Sequence, residues 1–102
     1  MDSSLPAVSV ILPILNEEQD LNDCISAILN QDYSGEFEII LALGPSKDRT
    51  TEIAKKLTEK DNRIKLVDNP TGKTATGLNL AIAKSRYEII CRIDGHSEIT
   101  RT

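Results

Sequence analysis

The sequence has one histidine and only two cysteines in 102 residues. One histidine excludes a zinc site built from several imidazoles within this chain. Cys24 and Cys91 stand far apart inside apolar patterns, with no C-x-x-C pair to suggest metal or redox chemistry. They read as two buried, reduced thiols. Basic residues form no run: 12 Lys and Arg are scattered among 16 Asp and Glu, for a net charge of -4. Nucleic acid is therefore not an expected partner, because neutralising phosphates takes clustered Lys and Arg. Anionic membrane surfaces are disfavoured on the same ground. No apolar stretch approaches the ~20 residues of a membrane-spanning helix. Residues 1–6 lack the charged and apolar regions of a signal peptide. Asn69-Pro70-Thr71 is no glycosylation acceptor, because proline fills its middle position. The expected setting is reducing and cytoplasmic.

Two glycine patterns are missing as well. No G-x-G-x-x-G follows the first strand-like run, so the dinucleotide fingerprint is absent, as is the Gly-rich loop of nucleotidylyltransferases. Gly72-Lys73-Thr74 imitates the end of a phosphate-binding P-loop, but the motif's first glycine would fall on Val67.

What is present is an alternation of strand-like and helix-like segments at ordinary globular composition, 39% hydrophobic and 27% charged. The mostly apolar run at residues 8–12, with Pro13 behind it, suits a strand buried on both faces. Asn16 with Gln19 three residues on looks like a capping box opening a helix whose apolar face is Leu21, Ile25, Ile28 and Leu29. Residues 37–43 form a second buried strand, broken by Gly44-Pro45-Ser46. A second helix begins near Asp48, with Ile53, Ala54 and Leu57 inward. Strands at 63–67 and 87–93 flank a third helix at 74–85, with Leu78, Ala81 and Ile82 inward. The order β-α-β-α-β-α-β with short connections predicts an α/β fold: a parallel sheet of about four strands with flanking helices.

Ligands of such sheets sit beyond the carboxyl ends of the strands. Asn16, after the first strand, is either a helix cap or a ligand group. The segment 44–50 serves as a turn and helix start, or holds a nucleoside with the same donors. Lys73 at a helix start can neutralise a diphosphate or stand solvated in a loop. Asp94 ends the fourth strand. With His96, two residues on across Gly95, it can reach one divalent cation. Carboxylate oxygen suits Mg²⁺ or Mn²⁺, and imidazole suits Mn²⁺ better.

Together these segments resemble the family 2 glycosyltransferases, which have the GT-A fold with its Rossmann-like nucleotide-binding half. Val8-Ser9-Val10-Ile11-Leu12-Pro13 with Asn16-Glu17 looks like the family's first strand and nucleotide loop. Phe37-Glu38-Ile39-Ile40 followed by Gly44-x-Ser46-x-Asp48-x-Thr50 looks like its second strand and turn, and Gly77-Leu78-Asn79 with Ala81 like its third helix. Ile93-Asp94-Gly95-His96 falls where the family places its D-x-D metal motif, and Asp-Gly-His there is similar to the exopolysaccharide (succinoglycan-type) transferases.

The resemblance implies transfer of a sugar from a nucleoside-diphosphate sugar, a UDP-sugar first, to the hydroxyl of an acceptor glycan or lipid-linked glycan. Pro13, Asn16, Glu17 and Asp48 would line the nucleoside pocket and Lys73 would approach the diphosphate. Asp94 and His96 would hold Mn²⁺ or Mg²⁺. Leu43 stands where the family usually carries an Asp that contacts uracil or ribose, and His96 replaces the second Asp of D-x-D. The family's acceptor-activating carboxylate lies well beyond the metal motif. Residues 1–102 are thus expected to be the N-terminal, nucleotide-sugar-binding part, inactive alone and prone to self-associate. In the full-length protein this part would work at the inner face of a membrane or free in the cytoplasm. The alternatives are a non-catalytic half-domain that holds a nucleotide-sugar, and a flavodoxin-like signalling domain in which Glu17, Glu18 and Asp68 mimic an acid cluster.

Overall fold

A computed structural model describes residues 5–31, 33 and 35–93. The elements run β1 (Val8–Ile14), α1 (Leu21–Leu29), β2 (Phe37–Leu43), α2 (Thr50–Lys60), β3 (Ile64–Asp68), α3 (Thr74–Lys84) and β4 (Ile89–Arg92). The four strands form one parallel sheet in the order β3-β2-β1-β4.

Side-chain alternation along the strands builds two cores. Val10, Leu12 and Ile14 of β1, with Ile39, Leu41 and Leu43 of β2, pack against Leu21, Cys24, Ile25 and Ile28 of α1 and Ala54 and Leu57 of α2. Ile11, Ile40 and Ala42 face the other way, onto Ala81 of α3. β2 is therefore covered on both faces. Its Ile39, Ile40 and Leu41 are fully buried, each stabilising the fold by about 1.5–3 kcal/mol relative to exposure.

The chain builds outward from β1 to β3 with α1 and α2 on one face. It then crosses back over the opposite face through α3 to place β4 on the other side of β1. That reversal makes the β1–β4 border the topological switch point. It also excludes the flavodoxin-like alternative, whose order is 2-1-3-4-5 rather than the 3-2-1-4 found here.

Ile82 of α3, expected to face inward, is 48% exposed. Three further local expectations are corrected. First, β1 runs through Pro13, which pairs in register with Ala42 of β2. The Val8 N–H points to the β2 side, where it bonds the Glu36 carbonyl, so by alternation the nitrogen of Pro13 faces β4. The β4 register ends opposite Ile11, so the missing N–H costs no ladder bond among the described residues. Second, Asn16 is not the cap of α1. That helix starts at Leu21 with Asp20 at the cap position, and Asn16 sits in the left-handed region at φ 53°. Third, Cys91 is exposed while Cys24 is buried. Among the described residues β4 is an edge strand, and Ile28 of α1 faces it across an open space. An apolar groove of about 420 Å³ is left there, lined among others by Val8, Val10, Phe37, Ile89 and Cys91.

At the amino end of the sheet, Glu38 is a buried carboxylate that joins three strands and the segment leading into β4. It accepts from Ser9 Oγ at 2.6 Å, Lys65 Nζ at 2.8 Å and the Arg86 N–H at 2.7 Å. The Tyr87 N–H in turn donates to Ser9 Oγ at 3.3 Å. Burial alone would raise the Glu38 carboxyl, but the Arg86 N–H, Lys65 and Ser9 outweigh it and hold it below its ordinary value.

Candidate nucleotide-binding site

The carboxyl ends of β1, β2 and β3 carry three loops that are joined to one another. Beyond Ile14, Leu15 is 40% exposed, and the chain then turns at Asn16. Asparagine is one of the few residues that adopts a positive φ readily. The turn is held from the β2 loop. The Asn16 N–H donates to Ser46 Oγ at 3.0 Å, and Asn16 Oδ1 accepts from the Lys47 N–H at 2.7 Å. The next two amides dock one turn further on: Glu17 N–H to Thr50 Oγ1 at 2.7 Å, and Glu18 N–H to Asp48 Oδ2 at 3.2 Å. Glu18 returns a bond, accepting from the Arg49 N–H at 3.3 Å.

Asp48 Oδ1 accepts from both the Thr50 N–H, at 2.9 Å, and the Thr50 hydroxyl. The Thr50 hydroxyl does most to lower the Asp48 carboxyl from its ordinary value. Desolvation opposes the shift, and the N–H donors of Thr50 and Glu18 add to it. The β1 and β2 loops thus form one braced unit.

The third loop is organised by Asn69, which is buried. Its N–H donates to the Leu43 carbonyl at 2.9 Å, anchoring the loop to the end of β2. Its side chain donates from Nδ2 to the Lys73 carbonyl at 3.0 Å and accepts from Thr71 Oγ1 at 2.9 Å. Gly72 takes φ 69° there, and the loop lies against the β2 loop. A methyl group placed on Gly44 would stand 3.3 Å from the Gly72 Cα and 3.0 Å from Leu15 Cδ1. Lys73 is exposed and immediately precedes α3.

Of the residues singled out in the sequence, Asn16, Glu17 and Asp48 lie within this braced unit. Pro13 is half-buried at the end of β1, and Lys73 sits in the adjoining loop. Leu43 is buried in the core at the end of β2. Asp94 and His96 lie outside the described residues. The last described residue, Ile93, donates its N–H to the Ile11 carbonyl at 3.0 Å, at the switch point. Among the described residues, no group of three or more His, Cys, Asp or Glu could hold a metal ion. Sequence reasoning passed over Thr50 and Asn69 as organising residues. The available signal was polar residues alternating with others through the β2 loop, Ser46-x-Asp48-x-Thr50. α1, α2 and α3 all begin at this edge, so their N-terminal ends favour an anionic ligand.

The family model for glycosyl transferase family 2 matches residues 9–102. The chain belongs to that family. An uncharacterized glycosyltransferase of Haemophilus influenzae is 35% identical over 92 residues, covering 89% of this chain and 36% of that protein. The O-antigen biosynthesis glycosyltransferase WbnJ of Escherichia coli is 36% identical over 90 residues, covering 88% of this chain and 35% of WbnJ. Among solved structures, S. aureus TarS 1-349 in complex with UDP superposes with a TM-score of 0.76 at 26% identity, over 87% of this chain and 27% of that one. TarS 1-349 in complex with UDP-GlcNAc gives a TM-score of 0.72. The parallel sheet and its flanking helices are thus a Rossmann-like GT-A fragment. The chain spans about a third of the length of the curated relatives it matches.

Proposed function

We propose that residues 1–102 form the nucleotide-sugar-binding half of a glycosyltransferase. The enzyme would pass a sugar from a nucleoside diphosphate, UDP first, to the hydroxyl of an acceptor glycan or lipid-linked glycan. The observation that carries this reading is the braced set of three loops at the carboxyl ends of β1, β2 and β3, in a chain matched to the family over 9–102. The fold shared with UDP-bound TarS supports a uridine nucleotide as the ligand. The name of WbnJ supports a polysaccharide product, and the Asp-Gly-His sequence an exopolysaccharide of the succinoglycan type.

Pro13 and Glu17 would border the nucleoside and Lys73 the diphosphate. Asp94 and His96 offer a carboxylate and an imidazole, a donor pair that suits Mn²⁺ and, less well, Mg²⁺. A cation held there would offset charge on the departing diphosphate. We propose that the reaction takes place in the cytoplasm, free or at the inner face of the membrane in the full-length protein. The acceptor-activating base is assigned to a part of the protein beyond these residues. Without it the 102-residue chain binds but does not turn over.

The test is to give the purified chain a UDP-sugar. Saturable binding with no sugar transfer or hydrolysis is expected, and turnover above a His96→Ala control contradicts it. We also propose self-association through the edge of β4, where Ile89 is 46% exposed. Light scattering should find dimers or larger species that Ile89→Lys shifts toward monomer. A monomer at high concentration in both refutes this.

A further inference from the structure

We infer that the hydroxyl of Thr50 is a positioning group for the nucleotide site: it sets the β1 loop on the β2 loop and governs nucleotide affinity without touching the nucleotide. The inference rests on the nucleotide-binding reading above and assigns the loop that reading uses.

Thr50 is fully buried, so no ligand reaches it. Its oxygen has one proton to give and lone pairs to accept with. The proton goes to Asp48 Oδ1, and the oxygen accepts the Glu17 N–H at 2.7 Å. The Thr50 N–H also donates to Asp48 Oδ1, at 2.9 Å. One side chain therefore touches the β1 loop directly and orients the carboxylate that holds the following amide, Glu18 N–H, at 3.2 Å. At the base of the loops the Gly44 N–H donates to the Ile14 carbonyl at 2.9 Å, while the side-chain bonds through Asn16 and Ser46 and between Glu18 and Arg49 are exposed and compete with water. Among these side-chain ties, the Thr50 hydroxyl belongs to a fully buried residue, where water competes least.

Asp48 changes role on this account. Its Oδ1 accepts twice from Thr50 and its Oδ2 accepts from the Glu18 N–H. The carboxylate expected to line the nucleoside pocket is engaged in bracing it. It is a positioning residue acting through the β1 loop.

The experiment uses the 102-residue chain with Thr50→Val, Thr50→Ser, Asp48→Asn and Leu57→Ala. Leu57 is a core residue of α2, seven positions along the helix from Thr50, and its truncation leaves a cavity that lowers stability. Two quantities are read: amide hydrogen exchange at Glu17 and Glu18 without nucleotide, and the Kd for UDP. Thr50→Val should speed exchange at both amides and raise Kd about tenfold, the equivalent of one to two lost hydrogen bonds. Thr50→Ser, which keeps the hydroxyl, should restore both. Leu57→Ala should lower Tm and leave Kd unchanged. Equal UDP affinity in Thr50→Val and the parent overturns the inference, as does failure of Thr50→Ser to restore it or equal weakening by Leu57→Ala.

Asp48→Asn keeps the test open should Thr50→Val not fold. Weaker binding with faster Glu18 exchange supports positioning. Weaker binding with unchanged exchange means that Asp48 touches the nucleotide and overturns it. Absence of UDP binding by the parent chain removes the nucleotide reading and this inference together, whereas the other adverse outcomes remove the inference alone.

Discussion

Replacing Gly77 by alanine sets helix propensity against packing. Gly77 lies inside α3, where alanine is intrinsically favoured over glycine by about 1 kcal/mol. A methyl group at this position, however, would stand 2.7 Å from Nδ2 of Asn69 and 3.3 Å from the Cβ of Ala42. The Asn69 side chain has little room to yield. It is buried, bonded to the Lys73 carbonyl at 3.0 Å and to the Thr71 hydroxyl at 2.9 Å. Rotating it away leaves the buried Asn69 amide unpaired, at about 1–3 kcal/mol, while the Lys73 carbonyl keeps the Gly77 N–H at 2.9 Å. Lifting α3 off the sheet instead costs about 1–3 kcal/mol of repacking. Relaxation follows the cheaper route or a mixture of the two, at about 2 kcal/mol, so after the propensity gain the variant should be destabilised by about 1 kcal/mol. In a domain of this size that lowers Tm by about 4–8 °C. Thermal and urea unfolding of Gly77→Ala, Asn69→Ala and the double variant measure it. The double variant should lose less than the sum of the singles, because Asn69→Ala removes the atom the methyl strikes. A Gly77→Ala chain as stable as the parent, or more so, refutes the packing argument and leaves propensity in control.

Other outcomes follow from the same geometry. Glu38 titrates below its ordinary value of 4.5 in the folded chain, so the stability it contributes is complete above that value and drains as pH falls through the lower folded value. Tm of the parent should therefore fall more steeply between about pH 5 and about pH 3 than that of Glu38→Gln; parallel profiles refute the assignment. Cys91 should react with a thiol reagent in the native chain while Cys24 reacts only on unfolding, as mass spectrometry of digested protein will show. Asn16→Ala should destabilise more than Asn16→Gly in urea melts, by about 1 kcal/mol, because alanine bears the left-handed φ at a cost that glycine does not. Equal midpoints refute it.

Much of the fold was legible because its signals are local. The apolar runs at 8–12 and 37–43 are bounded by turn residues, and the helices between them carry apolar faces at helical spacing. The placement of the site at the strand ends followed from the alternation alone. What escaped depended on partners far along the chain. Asn16 and Gln19 match a capping box, yet the side chain of Asn16 is taken by Lys47, 31 residues on. Glu38 sits in an apolar strand and is satisfied from Ser9, Lys65 and Arg86, which no window around it contains. Cys91 lies in a run that reads as a buried strand. Its exposure goes with strand order, since β4 lies at an edge among the described residues, and order is not a local property. Thr50 looks like an ordinary helix-start residue, and only the approach of the β1 loop shows what its hydroxyl holds.

The most direct test of the account is a titration of the ¹⁵N-labelled chain with UDP, following every backbone amide. A donor-nucleotide site at the carboxyl ends of the strands predicts saturable shifts centred on the β1 loop at 14–18, the β2 loop at 44–50 and the β3 loop at 69–74. Shifts that cluster instead at the amino end of the sheet around Glu38, or in the apolar groove beside Ile89, contradict it, as does a spectrum that UDP leaves unchanged.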